Sequence, residues 1–392
     1  MGNSIAKPSK FLDCFDEDGD LDVEKYIEYN KRVFSEEVDE NPRKKQSRQQ
    51  FPRRDPKQTT WYLDYVVDEH KTFCDPNHRD GKAFRVRFRL PYKTFKEMVE
   101  ECRNSPSCWW EERPDAAGRP PVPVELLLLG ALRVLGRGWV WDDVVEATHI
   151  SETVLRGFFK RFTKHYATVR KDEFIHAPDT VQEIEEIMRV YREAGVPGAI
   201  GSVDCVHVWW DRCPVNISNV CRGKEKYPTL AWQVVADHKR RILSVSRSHY
   251  GAENDLTISK YDDFVMGMHW GSKYKDVEFE LFDASGNIKK MKGFFLICDG
   301  GYHMWRCLQC PLKFSTVQEE LRWSKWVESL RKDVECTFGI LKGRFRILKC
   351  GIRMQKRDLL HNTRHLLRTS QYAARSGRYG RRLVWNGRAA CN

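Results

Sequence analysis

The sequence lacks an apolar run long enough to cross a membrane. Its longest apolar stretch, from Val122 to Leu135, is interrupted by Glu125 and Arg133, whereas a spanning helix needs about 20 predominantly apolar residues. The N-terminus also lacks the apolar core of a signal peptide, and the 13 cysteines follow no regular spacing. These absences favour an intracellular protein with reduced thiols.

Acidic residues are scarce toward the C-terminus. Between Arg322 and Asn392 there are 18 lysines and arginines against four acids. The whole chain of 392 residues has a formal net charge of +12, which favours a polyanionic partner, nucleic acid before membrane. Residues 351–392 are predicted to be a basic tail, which contacts DNA or serves only as a solvated solubility feature.

Residues 1–60 lack hydrophobic periodicity and are predicted to be a mobile arm. Residues 13–40 are acidic, and residues 41–57 are basic and contain proline. The basic residues at 43–45 (RKK), together with those at 53–54 (RR), are typical of a nuclear import signal or a nucleic-acid contact, and equally of a solvated linker. The expected location is the nucleus.

Residues 84–196 are predicted to form a helical, helix-turn-helix-like domain. Phe84 to Leu90 alternates apolar and basic residues, as a short strand does, and the chain is expected to turn helical after Pro91. Further helices are predicted at Glu125–Leu135, Trp141–Thr148, Ser151–Tyr166 and Gln182–Ala194.

The helix Ser151–Tyr166 has two distinct faces. Its apolar face consists of Leu155, Phe158, Phe159 and Phe162. Arg156, Lys160 and Lys164 recur every four residues on another face, which suits a recognition helix lying against DNA. A basic surface stripe on an ordinary three-helix packing module has the same pattern.

Residues 197–350 have the alternating pattern of an α/β domain. Apolar, β-rich runs predict strands at Ala199–Trp210, Leu230–Ala236, Ile242–Ser248 and Phe294–Cys298. A helix is predicted between the last two of these strands, at Asn254–Met268. Three strands, a helix, another strand and a final helix follow the order of an RNase H-like fold. The predicted fold class is therefore α/β, with an RNase H-like catalytic domain preceded by the helical domain and the arm.

The final helix is predicted at Glu328–Leu348, where apolar residues recur every three or four positions. Its other side is strongly basic, and Lys342, Arg344 and Arg346 are candidate DNA contacts. Glu335 is an acid among these cations. Considered alone, Glu335 is interpreted as the ion-pair partner of Arg331, which lies one helical turn earlier.

Two upstream aspartates change the interpretation of Glu335. Asp204 lies inside an apolar strand, where a carboxylate must be paired or bind a metal. Asp299 ends the later strand, at the rim of the predicted sheet. Three carboxylates in a basic protein suit a phosphodiester-cutting site, because hard cations such as Mg²⁺ or Mn²⁺ require oxygen ligands.

Three short blocks surround these acids: GSVDCVHV (Gly201–Val208), ICDGGY (Ile297–Tyr302) and RKDVECTFGILKGRF (Arg331–Phe345). They resemble the catalytic blocks of the PIF/Harbinger family of DDE transposases, including its plant-type members and Harbinger-derived nuclease relatives. GAENDLTI (Gly251–Ile258) is similar to the family's stretch between the first two acids. The resemblance extends over Phe84 to Leu348.

The resemblance implies that Asp204, Asp299 and Glu335 hold two divalent cations, Mg²⁺ or Mn²⁺, and catalyse cutting and joining of DNA at transposon terminal inverted repeats. It also implies a separate Myb/SANT-like accessory protein and a homodimer or larger assembly. His207 matches a family histidine that is either structural or a catalytic helper. Asp255 is either an alternative to one of these three acids or the capping residue of the helix that follows it.

Two departures from the family pattern leave the three acids intact. His303 stands where the family usually has proline, and Cys336 stands where a basic residue often follows the glutamate. These departures concern the positioning of substrate.

Three other interpretations remain open at this point. The chain could be a domesticated, catalytically silent transposase relative that binds DNA or a protein. It could be an adaptor in which the acids form salt bridges with Arg331 and Lys332. A third possibility is structural zinc at His303, Cys307 and Cys310, with a fourth ligand from Cys213 or Cys221.

Overall fold

The computed structural model describes four isolated positions near the N-terminus and most of residues 54–354. The described residues are 22, 24, 25, 28, 54–67, 71–104, 114, 118, 120–169, 173, 175–283 and 285–354. The chain divides into two compact units, Met1–Arg53 and Arg54–Asn392, and every element below belongs to the second. The predicted arm and basic tail lie largely outside the described residues. No helix in the described part of the chain combines the length and apolarity that a bilayer span requires.

Helices dominate the N-terminal half of the second unit, beside a 3-10 turn at Pro56–Gln58 and a π-helical turn at Leu63–Val67. They are α1 (Thr60–Tyr62), α2 (Lys71–Cys74), α3 (Arg79–Phe88), α4 (Tyr92–Asn104), α5 (Val124–Arg137), α6 (Trp141–Thr148), α7 (Glu152–Thr168) and α8 (Val181–Glu193). The four helices predicted between residues 125 and 194 are confirmed. Whether α5 to α7 act as a helix-turn-helix stays a prediction.

The strand-like segment predicted at Phe84 to Leu90 is wrong, because this segment lies in and just after α3. Phe84 and Phe88 are spaced by one helical turn and are 0% and 1% exposed, while Val86 between them is 56% exposed. Burial of that pair stabilises a helix in spite of the alternating pattern. The helix ends at Arg89, whose φ of 68° is left-handed.

The second half of the unit is built on a mixed sheet. Its strands, together with a separate two-stranded sheet of β5 and β6, are β1 (Ala199–Trp209), β2 (Thr229–Ala236), β3 (Ile242–Val245), β4 (His249–Tyr250), β5 (Glu278–Phe282), β6 (Ile288–Lys292), β7 (Phe295–Ile297) and β8 (Leu308–Gln309). The order in the main sheet is β3-β2-β1-β7-β8, with β4 also paired to β2. β1, β2 and β3 are antiparallel, while β1, β7 and β8 are parallel. The predicted α/β class is confirmed.

The remaining helices lie between and after these strands. They are α9 (Ser218–Cys221), α10 (Asp255–Lys260), α11 (Asp263–His269), α12 (Gln318–Arg344) and α13 (Ile347–Cys350), with a 3-10 turn at Val215–Ile217.

Two predicted helices differ from the structure. The single helix expected at Asn254–Met268 is broken, because the buried carboxylate of Asp262 accepts hydrogen bonds from the amides of Phe264 and Val265 and starts α11. The helix expected at Glu328–Leu348 begins earlier, at Gln318, and ends at Arg344. Phe345 leaves helical geometry with φ −112° and ψ 89° and is 1% exposed, so its ring is buried as the chain turns into α13.

Both faces of the main sheet are covered. Val206, Val208 and Trp232 belong to one apolar core together with α5 and α7. Val203 and Val235 belong to a second core together with α8. Helix α12 joins the two cores, since Val327 lies in the second and Leu341 in the first. This double burial fixes α12, and therefore Glu335, against the central strand.

Candidate active site

The parallel pairing of β1 with β7 brings Asp204 and Asp299 together. Ser202 is the register partner of Ile297, and each aspartate lies two residues beyond that pair. Because neighbouring strands are about 4.8 Å apart, Asp299 lies beside Asp204 just after β7 ends, while β1 continues to Trp209. Asp299 is fixed by the amide of Gly301, which donates to its Oδ1 at 2.7 Å.

Glu335 is linked to Asp204 by the side chain of Arg331. The Arg331 guanidinium donates from Nη1 to Asp204 Oδ2 at 3.0 Å and from Nη2 to Glu335 Oε1 at 2.6 Å. The two residues are one turn apart on α12, as the sequence predicted, but the same guanidinium also bridges to the central strand. Lys332, the other cation of the adaptor interpretation, is exposed.

Burial raises the pKa of Asp204 to about 6. The negative charges of Asp299 and Asp255 raise this pKa further, while Arg331 and the amide of Cys205 oppose the change. The Asp204 side chain is 20% exposed, so solvent screens these charges weakly. Asp204 thus lies among more negative than positive charges, and a bound cation would reduce this imbalance.

Asp255 belongs to this acidic site. It is the first residue of α10, after the capping residue Asn254. A Cβ built on Gly301 would lie 3.0 Å from Asp299 Oδ1 and 3.5 Å from Asp255 Oδ2. The two carboxylates therefore face the same glycine. Asp255, which the sequence analysis offered as an alternative acid, is therefore a close neighbour of Asp299.

His207 has structural contacts on both its side chain and its backbone. Its Nδ1 lies 3.1 Å from the Thr229 hydroxyl, and its carbonyl accepts from Lys342 Nζ at 2.9 Å. Burial, followed by the charge of Lys224, lowers the pKa of His207, and burial lowers that of Lys342. The Lys342 contact ties α12 to β1 near the acids.

The six candidate DNA contacts fall into two groups. Arg156, Lys160 and Lys164 are exposed on α7, and Arg156 also bonds Glu152 through Nε at 2.6 Å. In the second group, Lys342 and Arg344 donate to the carbonyls of His207 and Arg89, and Arg346 is exposed. The role of both groups in DNA binding stays a prediction.

The three zinc candidates of the sequence have separate partners. His303 Nε2 donates to the Leu256 carbonyl at 3.0 Å, and Cys310 Sγ lies 3.2 Å from Cys298 Sγ. Cys307 Sγ lies 4.0 Å from the Val265 carbonyl oxygen. Within the described ranges no three His, Cys, Asp or Glu side chains form a group that could hold a metal ion.

The acids fit Mg²⁺ or Mn²⁺ in chemistry, because Asp204, Asp299 and Glu335 offer hard carboxylate oxygens and Asp204 is buried among other negative charges. The three acids do not form a metal-holding group in the described part of the chain, and Glu335 is paired with Arg331.

The sequence did not predict that Arg331 spans two of the acids, nor that Lys342 binds the backbone of β1. An i,i+4 pairing is visible in a sequence. A contact between residues 127 positions apart, as for Arg331 and Asp204, has no local signal.

Comparisons with known proteins identify related chains. A family model described as "Plant transposon protein" matches residues 172–366. A protein from Bos taurus named "Putative nuclease HARBI1" is 24% identical over 239 residues, and its namesake from Rattus norvegicus is 26% identical over 235 residues. Each alignment covers 60% of this chain and 61% of the relative's length. No solved protein structure matches the chain.

Proposed function

We propose that this chain, which belongs through residues 172–366 to the Harbinger-related plant transposon protein family, is a metal-dependent DNA endonuclease and transposase. Its substrate would be the DNA of transposon terminal inverted repeats. The observation that carries the proposal is the parallel register that brings Asp204 beside Asp299, with Glu335 linked to Asp204 through Arg331.

The order of the main sheet supports an RNase H-like catalytic fold. Three antiparallel strands, β1 to β3, are followed by two strands parallel to β1. Asp204 lies in β1, and Asp299 lies two residues after the end of its parallel neighbour β7. Such an arrangement places reacting groups at the carboxyl edge of the sheet, where open α/β sheets bind ligands. The third acid comes from a helix packed against that sheet.

Asp204, Asp299 and Glu335 would hold the divalent cations, with Asp255 adding negative charge beside them. Cations bound there supply activation of the attacking oxygen and neutralisation of phosphate charge. The protein's own contribution is positional. Strand β1 and the Gly301 amide orient the two aspartates, and burial around Asp204 keeps bulk water from screening its charge.

Nicking of supercoiled plasmid in Mn²⁺ tests the proposal. The native protein should nick, and Asp299→Asn should reduce nicking to background because it removes a ligand charge at almost constant size. Asp263→Asn is the matched control, since Asp263 is exposed in the first turn of α11, and it should nick as the native protein does. Absence of nicking by the native protein, or an equal decrease in both variants, contradicts the assignment.

One observation favours a second function, a DNA-binding or protein-binding relative that does not cut. Arg331 neutralises Asp204 and Glu335 at the same time, as a structural salt bridge would. In that case Mn²⁺ would not raise the thermal unfolding temperature of the native protein, and Asp299→Asn would bind DNA without any change in cleavage.

The partners and location belong to the same proposal. Cutting both ends of a transposon requires that they be held together, so a homodimer or larger assembly is expected. A separate Myb/SANT-like protein would assist DNA binding and entry into the nucleus. Light scattering with and without inverted-repeat DNA tests the assembly, which should grow on DNA addition.

A further inference from the structure

Two buried cysteines face each other at the ends of the parallel strands β7 and β8. Cys298 directly follows β7, and Cys310 directly follows β8. The last residues of the two strands, Ile297 and Gln309, are register partners, and the Cys298 amide donates to the Gln309 carbonyl at 3.1 Å. The sulfur atoms of the two cysteines lie 3.2 Å apart. The pairing of the strands thus brings two thiols into direct contact.

This arrangement is already close to that of a disulfide. Neighbouring strands are about 4.8 Å apart, which lies within the range of about 4.4 to 6.8 Å that separates the Cα atoms of bonded cysteines. A disulfide bond is about 2.05 Å long, so the sulfurs of Cys298 and Cys310 need to approach by only about 1 Å. A small rotation of the two side chains supplies this movement.

Cys310 is the more reactive thiol of the pair. It is 6% exposed, whereas Cys298 is 0% exposed. The hydrogen bond from Cys298 lowers the pKa of the Cys310 thiol, although burial and the charge of Asp299 oppose this effect. A thiolate is the form that attacks an oxidant, so Cys310 is expected to react first and Cys298 to react with the product.

A metal ion is the other common partner of adjacent thiols. Structural zinc is bound by about four Cys or His ligands. Within the described ranges no third His, Cys, Asp or Glu side chain joins Cys298 and Cys310 in a group that could hold a metal ion. The pair therefore suits thiol oxidation better than metal binding.

The pair also lies against the turn that carries Asp299. Cys298 is the residue before Asp299, and Cys310 Sγ lies 3.8 Å from the Tyr302 carbonyl oxygen and 3.6 Å from that of His303. The reduced thiol of Cys310 can donate its S–H to these carbonyls, and a disulfide cannot. Oxidation would therefore remove a donor from one end of the turn and restrain the residue at the other end.

We propose that Cys298 and Cys310 are an oxidation site that forms a reversible disulfide in response to hydrogen peroxide. The Cys310 sulfur attacks one oxygen of the peroxide and becomes a sulfenic acid, while the other oxygen leaves as water with the thiol proton. The Cys298 sulfur then attacks the sulfenic sulfur. The S–S bond forms, and the sulfenic oxygen leaves as a second water with the Cys298 proton. Two thiols are oxidised, one peroxide is reduced, and a thiol reductant reverses the reaction by exchange.

Peptide mass mapping of the full chain tests the proposal without any cleavage of DNA. The folded protein is treated with hydrogen peroxide, the excess is removed with catalase, and the remaining thiols are alkylated in denaturant. Trypsin cuts after Arg306 and so separates Cys298 from Cys310. Mass spectrometry without reduction should detect the two peptides joined, and dithiothreitol should release them.

Cys307→Ser is the matched control, because Cys307 shares the tryptic peptide of Cys310 and is buried to a similar degree. The joined peptides should persist in Cys307→Ser and be lost in Cys310→Ser. Peroxide added after unfolding in urea should give them only at background level, since the fold selects this pair among 13 cysteines. Their absence from the oxidised native protein overturns the proposal, as does an equal yield from the folded and the unfolded chain.

The effect on Asp299 rests on the proposed nuclease function. The oxidised native protein should lose most of its plasmid nicking in Mn²⁺ and regain it after reduction and desalting. Cys310→Ser, whose hydroxyl keeps a donor for the two carbonyls, should nick equally with and without peroxide. Equal nicking by reduced and oxidised native protein would overturn this effect. A protein that forms the disulfide but nicks in neither state retains the oxidation site and loses the nuclease assignment.

Discussion

Asp204 shows at the scale of one residue how burial and charge compete. The Arg331 guanidinium favours its ionised form, yet burial outweighs that effect and the pKa rises from 3.8 to about 6. A carboxyl group whose pKa is higher in the folded state binds a proton more tightly there than in the unfolded chain. Its contribution to the free energy of unfolding is therefore most favourable below about pH 4 and is lost as the pH rises through 6.

Replacement of Asp204 by Asn should stabilise the metal-free protein at neutral pH. Asn keeps the hydrogen-bond acceptor and removes the buried charge, so the free energy of unfolding should rise by about 1 to 3 kcal/mol at pH 8. The gain should disappear below about pH 3, where Asp204 is protonated in both states. Urea unfolding in EDTA across this pH range measures it. A native protein more stable than the variant at pH 8 would mean that the Arg331 pair outweighs burial.

Arg331 should stabilise the metal-free site more than its neighbour Lys332. Arg331→Gln leaves Asp204 and Glu335 without their shared cation and should lower the free energy of unfolding by about 1 to 3 kcal/mol in EDTA. Lys332→Gln should change it by less than about 0.5 kcal/mol, because Lys332 is exposed.

Mn²⁺ should reverse part of the destabilisation in Arg331→Gln. The ion can replace the missing positive charge, so the rise in thermal unfolding temperature on addition of Mn²⁺ should be larger for Arg331→Gln than for the native protein. Equal rises in the two proteins would show that guanidinium and metal do not compete for Asp204 and Glu335.

At the scale of one element, α12 combines a rigid position with a weak helical sequence. Val327, Val334 and Leu341 are buried along its length, which holds the helix on the sheet. Glycines interrupt its exposed side at Gly339 and Gly343, where a Cβ would meet nothing within 4 Å. Packing, more than propensity, keeps this part of α12 helical.

Gly339→Ala should therefore stabilise the protein, by about 0.5 to 1 kcal/mol, because alanine has the higher helix propensity and no neighbour is displaced. Gly251→Ala is the opposite case. Its Cβ would lie 2.0 Å from the Thr229 hydroxyl and 2.5 Å from the Cys221 carbonyl, so the segment leading to Asp255 must shift. Thermal unfolding should give opposite signs for the two variants. Lower stability in Gly339→Ala would contradict the packing argument.

At the scale of the whole molecule, the helices and the sheet share one core. Leu128 of α5 and Trp232 of β2, which are 0% and 1% exposed, belong to the same apolar cluster. The Trp210 indole also donates to the Met354 carbonyl at 3.0 Å. A substitution that destabilises the helical part should therefore also destabilise the sheet, although the two parts were predicted as separate domains.

Leu128→Ala tests this coupling. The variant should lower the free energy of unfolding by about 2 to 5 kcal/mol, and amide hydrogen exchange should accelerate in β2 as well as in α5. Acceleration confined to α5 would indicate two independently unfolding parts and favour the predicted boundary near residue 197.

The excess positive charge also acts at this scale. DNA affinity should fall steeply with salt, because binding releases counterions from the phosphates. Removal of residues 355–392, which lie outside the described ranges, should flatten the plot of log affinity against log salt by about 0.9 for each phosphate that the tail neutralises. An unchanged slope would assign the affinity to the folded part and make the tail a solubility feature.

Local patterns were enough to predict the family, the α/β class, and most helices and strands. They also singled out three candidate acids, whose catalytic role stays a prediction. Apolar periodicity marks buried faces, and the short blocks around Asp204, Asp299 and Glu335 are contiguous in the chain. The errors were local as well. Phe84 and Phe88 at helical spacing overrode an alternating pattern, and the Asp262 carboxylate divided a helix in two.

The arrangement of the acids, in contrast, follows from the tertiary fold. The register of β1 with β7 sets Asp204 beside Asp299, and packing of α12 on both cores carries Arg331 to Asp204 across 127 residues. The same folding brings Asp255 to the glycine that faces Asp299, and it stacks Trp305 between His303 and His269. Such contacts depend on distances between segments remote in sequence, which burial of the whole core sets and no local pattern encodes.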